Sequence, residues 1–211
     1  MKSRITRRVW AGLLFSLFIL QWTGAQELPT KEPGARPRPT YGLGDQSLSL
    51  SAGVLLPLFF QFTEDFRTAP TNLSLGGTAS LKWSGYLSDA TRLGFDFGGM
   101  FAFSPNSRAL YMVPFLFTFD YIVYAFPFEV PLHASVGPCF TQLEELFHID
   151  PMLKIGATIL WDYDPAWSFG MNLHYWWIMQ LYTSNPDSPP PSHSAFGNFL
   201  EISLVAEYRI R

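Results

Sequence analysis

Residues 92–103 read RLGFDFGGMFAF, and nearly every second position along them is large and apolar. One face carries a row of phenylalanines that includes Phe95 and Phe97, whereas the other carries Arg92, Asp96 and small residues. A period of two predicts a β-strand. Because a row of exposed phenylalanines promotes aggregation in water, we expect this face to lie against lipid or a second sheet.

The same alternation recurs in seven other segments, which with residues 92–103 make eight predicted strands. The seven segments are 47–56, 72–83, 109–121, 129–139, 151–162, 167–180 and 196–211. A tilted membrane strand needs about 9–11 residues, whereas soluble strands usually have about 5–6. The sequence therefore predicts an all-β fold, an eight-stranded antiparallel up-and-down transmembrane β-barrel. A soluble all-β sandwich is the alternative.

The first residues are typical of a secretory signal peptide. Lys2, Arg4, Arg7 and Arg8 precede an apolar run from residue 9 to 20, and small residues follow up to Ala25. This run is shorter than the roughly 20 residues of a membrane-spanning helix. We expect a signal peptide at 1–25, a Pro-rich periplasmic segment at 26–45 and the barrel at 46–211. An uncleaved anchor is the alternative reading of residues 1–25.

Charge and cysteine content exclude several classes of function. Removing residues 1–25 deletes four basic residues and no acidic one, which takes the formal net charge from -3 to -7. Such a chain is a poor nucleic-acid binder, since phosphate contacts need clustered Lys and Arg. The single cysteine, Cys139, allows no internal disulfide and no cysteine-based metal site, and we expect it to pack rather than react. No cofactor is expected.

The segments between the predicted strands alternate in length. If the first strand starts in the periplasm, 57–71, 104–108, 140–150 and 181–195 form the outer connections. Residues 84–91, 122–128 and 162–166 then form periplasmic turns. Longer outer loops and shorter periplasmic turns are typical of outer-membrane barrels. Aromatic clusters near the strand ends, such as Trp161 to Trp167 and Tyr175 to Trp177, suit a membrane–water boundary.

This layout resembles small eight-stranded outer-membrane barrels, and especially the OmpW/OprG family. The resemblance covers residues 46–211, from the opening strand that ends GVLLP at residues 53–57 to the closing strand FLEISLVAEYRIR at 199–211. It implies a protein of the bacterial outer membrane, inserted by the barrel-assembly machinery and surrounded by outer-membrane lipids. It also implies a porin-like channel for passive uptake of small, hydrophobic solutes. The oligomeric state stays open.

The predicted ligand site lies in the lumen, where the fourth strand is unusually apolar. We expect an apolar chamber near its outer end, with a wall weakened by a proline that interrupts the hydrogen-bond ladder. The residues assigned to this site are Leu56, Leu110, Met112, Pro114 and Leu116. The alternative is that they plug a narrow barrel, because eight strands leave an interior just wide enough for side chains.

Inward-facing charges of both signs are expected to pair in the lumen. They are Lys82, Arg92, Asp96, Lys154, Glu201, Glu207 and Arg209. A structural role is favoured over a transport filter, since buried charges need partners.

Two other functions fit less well. A lipid-modifying enzyme would need a hydroxyl nucleophile beside a histidine base. His133, His148, His174 and the pair His193-Ser194 show no such pattern in sequence, so the chain is not predicted to be an enzyme. A surface adhesin or ligand-binding barrel, acting through loops 57–71 and 181–195, is the third class.

Overall fold

The computed structural model describes residues 40–125, 127–144, 146–182 and 193–210. The predicted signal peptide at 1–25, and the part of the Pro-rich segment before residue 40, lie outside these residues. Nine strands are present in the described part of the chain. They are β1 (Gln46–Phe62), β2 (Thr68–Pro70), β3 (Gly76–Ser88), β4 (Thr91–Phe103), β5 (Ala109–Ala125), β6 (Phe128–Leu143), β7 (Leu146–Asp162), β8 (Trp167–Gln180) and β9 (Ala195–Ile210).

Eight of these strands close into a barrel. Each pairs antiparallel with its neighbour in chain order, and β9 pairs with β1 to complete the ring. The three-residue strand β2 adds only to the end of β1, through pairs such as Phe60 with Ala69. The predicted all-β, eight-stranded up-and-down barrel is confirmed, and the soluble sandwich is excluded by this closure.

The alternation in the sequence separates the two faces of the wall. In β4 the side chains of Arg92 and Asp96 are buried in the lumen, while Phe95 and Phe97 point outward and are about half exposed (43% and 55%). The same holds around the ring, so the outer surface is a continuous apolar band. A water-soluble monomer rarely exposes such an area, whereas lipid solvates it.

Aromatic side chains ring the band at the end where β1 begins and β9 ends, here called the terminal end. The ring consists of Trp83, Tyr121, Trp161, Trp167 and Tyr208. Tyr111 lies ten residues before Tyr121 on β5, about 33 Å along the strand. With the usual strand tilt this gives a band about 25 Å tall, as in outer-membrane barrels. Of the predicted aromatic clusters, Trp176 belongs instead to the lumen.

Strands extend further than the sequence pattern predicted. The segment 140–150, predicted as an outer loop, is a hairpin in which Leu143 pairs with Leu146. Most of the predicted turn 122–128 likewise belongs to β5 and β6, with Ala125 paired to Phe128. These predictions were wrong because the polar residues of 140–150 and the proline of 122–128 resemble loop composition, although strand pairing continues into both segments. The opposite end of the barrel is called the loop end.

Candidate functional site

The lumen has two parts, and the part at the loop end is an apolar chamber. Its volume is about 180 Å³. The apolar walls come from β1, β5, β6, β8 and β9 and consist of Phe60, Leu110, Met112, Leu143, Ile178 and Phe199. Thr141, His148, Asp150, Gln180 and Tyr182 add polar atoms to the lining. An apolar cavity of about 150 Å³ can stay dry and bind benzene, so this chamber has room for one small ring compound.

The predicted ligand residues divide between the chamber and its floor. Leu110 and Met112 line the chamber, while Leu116 is fully buried below it in the same apolar cluster. Leu56 was predicted to face the lumen, and this is wrong: Leu56 is half-buried, and its neighbour Leu55 is the side chain that is fully buried in the cluster. A bulge between Pro57 and Phe59 follows directly and shifts the register of β1.

Pro114 is buried in the wall beside the chamber floor, where strand pairing is incomplete. On the β4 side, pairing stops at Phe97 with Phe115 and resumes only at Met100 with Met112. On the β6 side, within the described residues, no pair is formed between Pro114–Cys139 and Phe117–Val136. Proline has no N–H to donate, so the lapse follows from the sequence. The backbone pairing of the wall is therefore weakened at Pro114.

Below the chamber, the lumen is filled by a charge network centred on Arg92. Its guanidinium donates to the Asp120 carboxylate at 2.5 Å and to Glu207 at 2.8 Å. Lys82 Nζ lies 3.0 Å from Asp120, whose other oxygen is 2.5 Å from His133 Nδ1. These groups are almost completely buried, so each depends on its partners in place of water.

A second centre of the network is Lys154. Its ammonium lies 2.9 Å from Asp96 and 3.1 Å from Glu201. Trp176 Nε1 and His174 also contact the Glu201 carboxylate, at 2.8 and 3.3 Å. All seven predicted inward charges thus lie in the lumen, and each has a partner of opposite charge. Four cationic side chains meet six carboxylates in the network, since Asp120, Glu129 and Asp162 join the predicted set.

Several members of the network were not predicted to be part of it, although the period of two already places them on inward faces. Asp120 lies between the outward Phe119 and Tyr121, so the period of two already assigns it to the lumen. Glu129 and His133 share the inward face of β6 in the same way. They were not predicted because the assignment of the strands rested on their apolar faces rather than on the polar residues between.

The terminal end of the lumen is covered by Tyr41, which precedes β1. Its ring stacks on Tyr86 with centroids 4.2 Å apart, and its hydroxyl donates to Glu129 at 2.9 Å. Its backbone N–H donates to the Asp89 carboxylate. Arg209 lies over the ring and donates to Glu129 at 2.9 Å. Burial raises the pKa of the Tyr41 phenol, so this hydroxyl remains a hydrogen-bond donor.

A chain of hydrogen bonds connects the two centres. Ser203 donates to the Glu201 carboxylate, and the Ser203 oxygen accepts from the Asn172 amide. The Asn172 carbonyl accepts from Thr158 at 2.6 Å. His133 joins this chain to Asp120, since its Nε2 lies 2.5 Å from the Thr158 hydroxyl and its Nδ1 lies 2.5 Å from the Asp120 carboxylate.

Thr158, His133 and Asp120 have the order hydroxyl, imidazole and carboxylate, which in hydrolases activates a nucleophile. Here the three groups are buried within the charge network. The cavity inside the network has about 20 Å³, which is room for one water and no substrate.

The remaining predicted histidines lie at the loop end. His148 was expected in an outer loop but lies on β7, where its ring packs edge-on against Tyr182 at 5.4 Å. Ser194, next to His193, accepts a hydrogen bond from the Tyr182 N–H at 2.9 Å. No group of three metal-binding side chains occurs in the described part of the chain. The same residues contain no helix that could cross a membrane.

Comparisons with known proteins agree with this architecture. The crystal structure of Neisserial surface protein A superposes with a TM-score of 0.53 at 10% identity, covering 78% of this chain and 96% of that one. OprG from Pseudomonas aeruginosa gives a TM-score of 0.48 at 8% identity, covering 81% and 98%, which is too low to carry an argument. The resemblance to small eight-stranded outer-membrane barrels is therefore confirmed at the level of the fold.

Sequence comparison extends the relationship along most of the chain. An uncharacterized protein of Borreliella burgdorferi is 24% identical over 162 residues, which cover 66% of this chain and 76% of that protein. A protein-family model matches residues 30–208. The chain therefore belongs to the family that this model describes, and its fold is that of the small eight-stranded outer-membrane β-barrels.

Proposed function

We propose that this protein is an integral protein of the bacterial outer membrane that passively takes up small hydrophobic molecules. A molecule enters the chamber from the loop end and leaves sideways through the barrel wall into the membrane. The observation that carries this proposal is the position of an apolar chamber of about 180 Å³ directly above a closed charge network. The network leaves no axial path, so the exit has to be lateral.

Location in the membrane is supported by the outer surface. The apolar band and its aromatic ring match the hydrocarbon layer and its boundary. An even number of strands brings both termini to one end, which in bacterial barrels is the periplasmic end. The loop end, with the chamber, then faces the outside.

The lateral exit is supported by the wall at Pro114. Backbone pairing lapses on both sides of this residue, so fewer hydrogen bonds have to break there than elsewhere along β5. Pro114 also faces Gly98 on the neighbouring strand. Because glycine has no side chain, few atoms fill the wall at this position. A small apolar molecule at the chamber floor is thus separated from lipid by a part of the wall in which the backbone pairing is weakened.

The test uses vesicles with lipopolysaccharide in the outer leaflet, because this layer slows apolar solutes. Naphthalene arriving in the vesicle lipid is followed by its fluorescence, and leakage of glycerol and potassium is measured in parallel. We expect the protein to accelerate naphthalene several-fold and to leave glycerol and potassium unchanged. Equal acceleration of all three solutes would contradict the closed network.

Two variants locate the path. Leu110→Trp fills the chamber and should abolish the acceleration, whereas Leu50→Trp, on the lipid-facing surface, is the matched control and should not. Pro114→Val restores a backbone donor to the wall and should slow transfer into lipid while naphthalene still binds. Full transport by Leu110→Trp would overturn the proposal.

We also infer that the protein is not an enzyme. The support is the burial of Thr158, His133 and Asp120 in the charge network, where a cavity of about 20 Å³ leaves no room for a substrate. Lipid hydrolysis by the wild type that is lost in Thr158→Val would contradict this inference.

A further inference from the structure

One carboxylate in the lumen differs from all those in the charge network. Asp150 lies on β7, is 4% exposed, and faces Cys139 across the β6–β7 pair. It lines the apolar chamber rather than the network. Within the described residues no salt bridge includes Asp150, whereas Asp96 and Asp120 each bind a buried lysine or arginine. In the part of the chain that the structure describes, this carboxylate has no cationic partner within ion-pair distance.

The neighbours of Asp150 leave that position open for a ligand. The Thr141 hydroxyl is its hydrogen-bonding neighbour, and His148 lies next along β7 but does not come within ion-pair distance. The opposite walls are apolar and contain Leu110, Met112 and Ile178. A buried carboxylate among such groups is costly unless a cation compensates it.

We propose that the chamber binds a small organic cation, a protonated amine on an apolar body of about one ring, with its ammonium group against Asp150. This rests on the proposed function of the chamber and names the class of molecule that fits it best. The volume of about 180 Å³ sets the size, because a cavity of about 150 Å³ accepts benzene. The apolar walls take the ring, and Asp150 selects its charged substituent.

The part of the charge network next to the chamber supports the same preference. Lys154, which lies over the Trp176 ring of the apolar cluster, meets two carboxylates, Asp96 and Glu201, so this part of the lumen carries an excess of negative charge. Inside low-dielectric walls such an excess attracts cations and repels anions. A molecule with a carboxylate of its own would meet both this field and Asp150.

The experiment compares three molecules of the same size on the full protein in lipid nanodiscs. They are 2-phenylethylamine, 2-phenylethanol and propylbenzene, each radiolabelled and measured by equilibrium dialysis, with protein-free nanodiscs subtracting partition into lipid. We expect the amine to bind the wild type about tenfold or more tightly than the alcohol, as for a hydrogen bond to a charged group. Asp150→Asn should remove this difference and leave propylbenzene binding unchanged.

A control variant keeps the result interpretable. Asp65→Asn, which alters an exposed carboxylate outside the chamber, should keep the amine preference. The wild-type comparison needs no variant and therefore does not depend on folding of Asp150→Asn.

The possible outcomes separate this inference from the proposed function. Equal binding of all three molecules to the wild type overturns the amine preference and leaves uptake of apolar molecules standing. An amine preference that survives in Asp150→Asn overturns the assignment to Asp150. Absence of binding by all three overturns the chamber as a ligand site, and the proposed function with it.

Discussion

The two parts of the lumen are filled by side chains to different extents. The terminal part is filled by side chains of opposite charge, which leave only about 20 Å³, whereas the loop-end part is lined by aliphatic and aromatic groups that leave about 180 Å³. Long charged side chains reach across an eight-stranded barrel and bind one another at its centre. Leucine and methionine are shorter, and nothing directional draws them across the gap.

The comparison shows why a space can persist at one end of the barrel only. An unfilled region among charges would leave buried polar atoms without partners, which is costly. An apolar space loses only dispersion contacts, and it can stay dry. The charge network therefore closes the lumen and stabilises the barrel. The chamber leaves a cavity, which lowers the free energy of unfolding.

The largest expected effect comes from removing the central cation of the network. Arg92→Met leaves the Asp120 and Glu207 carboxylates without their guanidinium and should lower the free energy of unfolding by about 3–5 kcal/mol. The measurement is urea unfolding of the protein in lipid vesicles, followed by tryptophan fluorescence.

A matched control for that variant is Arg108→Met. Arg108 pairs with Glu144 at 3.4 Å at the loop end, and both side chains are more than half exposed, so little or no loss is expected. Equal losses for the two arginine variants would mean that the network does not stabilise the barrel.

Two leucines on β5 give the next largest effect and test the chamber directly. Leu116 is fully packed beneath the chamber, so Leu116→Ala should cost about 2–5 kcal/mol of the free energy of unfolding. Leu110 already borders empty space, so Leu110→Ala should cost roughly half as much. The same urea titrations measure both, and a cost for Leu110→Ala as large as for Leu116→Ala would argue that the chamber is filled.

The smallest effect is expected at the terminal mouth. Tyr41→Phe keeps the stack on Tyr86 but removes the hydrogen bond to Glu129, and it should cost about 1–2 kcal/mol. Tyr121→Phe, which changes a lipid-facing phenol, is the control. If both variants unfold at the same urea concentration as the wild type, Tyr41 contributes only its ring.

Much of this arrangement was predictable because a strand has a period of two. The faces of β4 and the inward position of all seven predicted charges follow from that period alone. Leu56 was assigned wrongly because the apolar run from Val54 to Phe60 conceals the alternation. The period of two that runs through Ser47, Ser49 and Ser51 continues to Leu55 and already places Leu55, rather than Leu56, inside.

The partners within the lumen could not be predicted in the same way. The alternation places Arg92 and Glu207 inside, but their contact joins strands that are not neighbours, β4 and β9, and depends on the width of the closed barrel. The absence of a partner for Asp150 has the same origin, since it depends on what reaches across the lumen rather than on what is next in sequence.

The last strand has a consequence for assembly. Glu201, Glu207 and Arg209 all lie on β9, and their partners lie on β4, β6 and β7. Until β9 joins β1, Arg92 on β4 lacks its Glu207 partner, and the edges of the sheet are unpaired. An unclosed sheet would present these charges to lipid, which is unfavourable. Closing the ring therefore completes the backbone pairing of the sheet and the charge pairing of its interior together.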